Sequence, residues 1–74
     1  MTRLAILPAG TRARVVLLAP QLGRRADRLV QLGVAPGAEI ELLQRRPAFV
    51  VAAGETQLAF DRDLARDVFV QRID

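Results

Sequence analysis

The groups in this chain that could do chemistry are eleven arginines, eight side-chain carboxylates and the hydroxyls of Thr11 and Thr56, the two threonines internal to the chain. Cys, His, Lys, Ser and Tyr are absent. The familiar nucleophiles, and any base that titrates near neutral pH, are therefore missing, and catalysis is not expected. A metal would have to be held by carboxylates, which suit hard cations such as magnesium or calcium. Asp61, Asp63 and Asp67 form the densest acidic group, but Arg62 and Arg66 interleave with them and the glycine of a calcium loop is missing. Helix capping by Asp61 and local ion pairing are the simpler reading, so neither a metal site nor a cofactor is expected.

What remains is recognition by arginine, whose planar guanidinium matches carboxylates and phosphates. Arg24, Arg25 and Arg28 fall on the outward face of an expected helix and could dock an acidic patch. Arg45 and Arg46 lie beside Pro47 at an expected hairpin tip, a usual place for binding residues. These five are the candidate partner-binding residues. Each group also has a plainer reading: a solvated helix face with Asp27 pairing to Arg24, and a loop tip kept polar for solubility. A net charge of +3 and a pI of 11.3 raise a nucleic-acid alternative. Against it, acidic residues interleave with the arginines and no basic run exceeds two residues.

The elements that must position these residues are short. Leu7-Pro8-Ala9-Gly10 reads as a turn, and Ala13 to Leu18 as a buried strand. From Gln21 to Leu32 the period becomes helical: Leu22, Ala26, Leu29 and either Val30 or Gly33 share one face. Pro20 is placed at the first turn of that helix, and Gly33 at its end in a left-handed cap closed by Val34. Pro36 and Gly37 then suit the two central positions of a type II turn.

Ala38 to Leu43 alternates as a half-buried strand, with Leu43 breaking the pattern, where either a bulge or cover for a second surface would fit. Gln44 to Ala48 connects it to a strand with Phe49, Val51 and Ala53 on one face. Gly54-Glu55 makes a two-residue turn, and Thr56, Leu58 and Phe60 continue the alternation. Asp61 caps a helical turn through Leu64 and Ala65, and Val68 and Val70 face inward in a closing strand that ends at Arg72.

A chain of 74 residues buries only about 60% of its unfolded surface, so its Leu, Val, Ile and Phe must share one core. Residues 1–74 are accordingly read as a single domain. About five short antiparallel strands cannot leave long edges exposed, and closure into a small barrel follows, SH3-like or OB-like. The fold class is mainly β, with one helix after the first strand, plugging the barrel, and a short helical turn before the last strand. No leader or membrane-spanning run is visible, and a cytosolic location is expected.

Three blocks of this sequence resemble the FeoA family, small cytosolic accessory proteins of bacterial ferrous iron transport. They are Leu7 to Gly10 with Arg14-Val15-Val16, Arg28 to Gly37 with Ile40 and Leu42, and Leu58-Ala59-Phe60 with Leu64-Ala65 and Val68-Phe69-Val70. The hairpin connection departs from the family pattern in lacking a glycine beside Pro47. The resemblance implies an SH3-like barrel that binds the cytosolic GTP-binding portion of a FeoB-type membrane transporter and modulates iron uptake without catalysis. Transition-metal ion binding enters at family level only, with no ligand assigned here. Weak homo-oligomerisation and a stand-alone regulatory barrel like that of metal-dependent repressors are further alternatives.

Overall fold

Alternating apolar residues build one antiparallel sheet in the computed structural model, which describes residues 1–73. Its six strands are β1 (Thr2–Arg3), β2 (Arg12–Leu18), β3 (Glu39–Gln44), β4 (Phe49–Ala53), β5 (Thr56–Phe60) and β6 (Val68–Arg72). Helix α1 (Arg24–Gln31) follows β2, and the single-turn α2 (Arg62–Ala65) precedes β6. The strand order is β1-β6-β2-β3-β4-β5, so β2 lies inside the sheet and pairs with β3 on one side and β6 on the other. The molecule measures 27 × 25 × 24 Å, nearly equal in every direction, which fits a sheet curled on itself as an SH3-like barrel and not a flat layer.

The inward residues are those the alternation marks. Ala13 and Val15, Ile40 and Leu42, Phe49, Val51 and Ala53, and Val68 and Val70 form one buried cluster. Leu4, Leu7, Leu22, Leu29, Val34, Leu64 and Ala65 close it from the loops and helices. The register slips between Leu42 and Gln44, leaving Leu43 outside the pairing and exposed, as its break in the pattern suggested. A second slip between Val15 and Leu17 puts Val16 on the surface.

The link from α1 to β3 forms as expected. The Val34 N–H donates to the Leu29 carbonyl at 2.8 Å and the Gly33 N–H to the Val30 carbonyl at 3.1 Å, the two bonds of a Schellman cap. Gly33 has φ +101° and Val34 is fully buried beneath the cap. Ala38 N–H closes the Pro36-Gly37 turn on the Ala35 carbonyl at 2.9 Å, with Gly37 at φ +94°.

Three details differ from the sequence reading. The helix does not begin at Gln21: Pro20–Leu22 is a separate 3-10 turn, and Gly23, at φ 55° and ψ −126°, breaks the chain before Arg24. Glycine is a poor interior helix residue, and here it re-aims the chain. Val30 is 47% exposed, because Val34 of the cap supplies the apolar residue for that end of the helix. A sixth strand, Thr2–Arg3, pairs with Val70 and Phe69; two residues are too few to show a period.

A methyl group added at Gly33 would meet only an ordinary contact, 3.5 Å from the Ala53 Cβ, so its cost comes from the positive φ. Gly33→Ala should lower stability in urea unfolding by about 1 kcal/mol with no change in m. Unchanged stability would show that the cap does not depend on this dihedral.

Candidate functional site

Helix α1 touches the core along a narrow stripe. Leu29 is buried and Ala26 packs against the cluster, while Leu22 and Val34 anchor the chain on either side of the helix. The helix turns through about 100° per residue, so Arg24, Arg28, Asp27 and Gln31 fall opposite that stripe, with Arg25 at their margin. These five side chains surround a space of 440 Å³ that is open to solvent. All come from one convex helix, so the space lies between splayed side chains. It could receive an acidic surface, but it could not enclose a small ligand.

The pairing of the other arginines sets this face apart. Arg12 and Arg14 both reach Glu39 across β2 and β3, at 3.4 and 2.8 Å. Arg66 lies 3.9 Å from Asp63, and Arg3 stands over the Phe69 ring at 5.5 Å. Among the described residues, Arg24, Arg25, Arg28, Arg46 and Arg62 have neither ion pair nor hydrogen bond nor ring contact. Three of these five free guanidiniums project from α1. The expected Asp27–Arg24 pair does not form among the described residues, so the cationic face is not neutralised from within.

The two arginines at the hairpin tip part company. Arg45 is half-buried, donates from Nη1 to the Leu7 carbonyl, and places its guanidinium 5.3 Å from the centre of the Phe49 ring. It therefore fastens the β3–β4 connection to the Leu7-Pro8 turn. Arg46 points to solvent, and the structure does not join it to the α1 group into one site. The sequence signal for the Arg45 role was Phe49 four positions along, which offers an aromatic face within one hairpin.

Several of the remaining polar groups have structural tasks. Thr11 is buried, and its hydroxyl donates to the Pro8 carbonyl at 2.8 Å, which closes a turn and removes it as a reactive group. Asp61 accepts from the Leu64 N–H at 2.9 Å as the cap of α2, as its place in the sequence indicated. Asp67 accepts from the Gln21 side chain at 3.1 Å. Among the described residues, no three acidic side chains gather where a metal could be held. No helix among them is long and apolar enough to cross a membrane.

By class, then, the chain is a small SH3-like barrel that presents a cationic helix face. The FeoA domain family matches residues 2–72, and the chain belongs to that family, whose members are accessory proteins of ferrous iron transport. Among solved structures, FeoA from Chlorobium tepidum is 28% identical, with a TM-score of 0.90 over 99% of this chain and 71% of that one. An iron uptake regulatory protein, FeoA, is also 28% identical, with a TM-score of 0.82 over 97% of this chain and 96% of that one. FeoA from Stenotrophomonas maltophilia, solved in complex with zinc and described as a prokaryotic SH3 domain protein, is 27% identical. Its TM-score is 0.81, over 96% of this chain and 91% of that one. Among curated proteins none matches significantly in sequence. This chain has neither His nor Cys, the usual nitrogen and sulfur ligands of zinc.

The contrast at the hairpin tip is directly testable. Arg45→Met keeps the aliphatic stem but removes the donor to Leu7, and should cost about 1–2 kcal/mol in urea unfolding. Arg46→Met should stay within about 0.5 kcal/mol of wild type. Equal effects would show that Arg45 is not the fastening.

Proposed function

We propose that this protein is a non-enzymatic, cytoplasmic accessory protein of ferrous iron transport that docks through the arginine face of α1 on the cytosolic GTP-binding portion of a FeoB-type transporter. Family membership supports the transport role. The observation behind the docking surface is the set of three free guanidiniums, Arg24, Arg25 and Arg28, on one exposed helix face. Unpaired arginines on a scaffold fixed by the Gly33–Val34 cap form bidentate contacts with carboxylates without first breaking an internal pair. Arg46 stands apart from this face, and Arg45 holds the hairpin tip in place.

A partner for this face is acidic, and binding gains in rate from charge steering. The interface offered by an eight-residue helix is small, so affinity in the range of transient complexes fits, and a nucleotide-dependent transporter surface could switch it. The nucleic-acid alternative rests on the net charge of +3 and the high pI, and the aromatic rings do not support it. Such barrels stack bases on exposed rings, whereas Phe49 is buried, Phe60 lies parallel to it at 6.5 Å, and Phe69 is covered by Arg3.

The test is binding to the cytosolic portion of the cognate transporter, with and without a GTP analogue. The double variant Arg24→Glu/Arg25→Glu should weaken binding by about tenfold or more, equivalent to about 1.4 kcal/mol, while leaving thermal stability nearly unchanged. Binding that is indifferent to both reversals would exclude α1 as the docking face.

A further inference from the structure

Strand β5 is the free edge at the other end of the sheet from β1. Ala53 and Thr56 flank the Gly54-Glu55 turn, and in a two-residue hairpin the flanking pair exchanges both backbone hydrogen bonds. The register between β4 and β5 is continuous, so the same inward bonding recurs at Val51–Leu58 and Phe49–Phe60. Gln57 and Ala59 therefore turn their N–H and C=O groups away from β4. Among the described residues, no turn or loop bond reaches those groups.

Sheet edges are usually blunted by a charge, a proline or a bulge within the strand. The Thr56–Phe60 edge has none of these: it reads TQLAF, in unbroken register. Its charges stand at its two ends instead, where Glu55 and Asp61 are both exposed. From Pro47 to Asp61 these are the two charged residues, so both ends of the strand are flanked by a carboxylate, with Arg62 and Asp63 following Asp61 in the first turn of α2.

The end charges select the occupant. If two copies paired antiparallel along the whole strand, Leu58 would face Leu58 of the second copy, and Glu55 would meet Asp61 of the second copy at both ends. Like charges opposed across a strand pair are destabilising, so self-pairing is disfavoured. A strand bounded by cations gains at both ends from the same two carboxylates.

We infer that the β5 edge is a second docking surface, which adds an extended polypeptide segment bounded by basic residues as a further strand. Backbone groups of Gln57 and Ala59 supply the hydrogen bonds, and Glu55 and Asp61 supply the selection. This surface has the opposite charge from α1 and does not depend on the docking role given to that helix.

A synthetic peptide of alternating valine and threonine with an arginine at each end, and a matched peptide with glutamate ends, provide the test. Titrated into isotopically labelled protein, the arginine-ended peptide should shift the Gln57 and Ala59 amides and bind about threefold tighter or more than its counterpart. Ala59→Pro removes an N–H that β4 does not use, so the fold should persist while the shifts vanish. Glu55→Arg should remove or reverse the preference between the peptides, and it decides the matter if the proline variant fails to fold. Shifts centred elsewhere, equal binding of the two peptides, no binding, or dimerisation of the free protein through β5 would each overturn the inference.

Discussion

The whole barrel depends on the double pairing of β2. Ala13 and Arg14 face Ile40 and Glu39 of β3 on one side, and Arg72 and Gln71 of β6 on the other. That strand alone joins the two halves of the sheet, β1-β6 and β3-β4-β5. Its inward residues Ala13 and Val15 are 1% exposed, so their burial and the hydrogen bonding of their backbone are a single condition. Val15 shows how tightly this is drawn: its N–H donates to the Ala38 carbonyl at 2.8 Å, and its carbonyl accepts from the Gly37 N–H at 2.7 Å. The Pro36-Gly37 turn thus begins β3 and also holds it to β2. With neither disulfide nor clustered metal ligands among the described residues to compensate, a defect in this strand would divide the core.

The exposed helix is a consequence of that economy. Everything between β2 and β3 must return the chain to the barrel, and it does so with a 3-10 turn, a glycine break, two turns of helix and a Schellman cap. The segment anchors at Leu22, Leu29 and Val34, which leaves the opposite face of α1 without a structural task. Arg24 and Arg28 on that face and Arg25 at its margin cost the fold little, because they remain solvated. They also gain it nothing, and the docking proposed above is assigned to them. Arg45 shows the alternative fate of an arginine in the same molecule, drawn down onto Phe49 and the Leu7 carbonyl.

Much of this architecture was legible in the sequence wherever one residue type had a single physical role. Gly33, Val34, Pro36 and Gly37 marked the cap and turn, Asp61 marked the α2 cap, and the alternation in β3, β4 and β6 marked the core. The strand Thr2–Arg3 was hidden because two residues have no period, and its pairing depends on Phe69 and Val70 at the far end of the chain. The start of α1 was misplaced because Leu22 lies at helical spacing from Ala26 and Leu29, whether or not Gly23 interrupts the helix. At the candidate site, residue type and spacing placed the α1 arginines on the solvent side of the helix, but pairing is tertiary. Only the structure separates Arg45 from Arg46, and only it shows that Asp27 leaves Arg24 free.

The most direct measurement is a map of the contact itself: amide and arginine side-chain NMR shifts of the labelled protein as the cytosolic portion of its FeoB-type transporter is added. The account predicts saturable changes centred on Arg24, Arg25 and Arg28, with the Arg12, Arg14 and Glu39 group undisturbed. Saturable binding that leaves α1 unchanged, or the absence of binding in every nucleotide state, would contradict it.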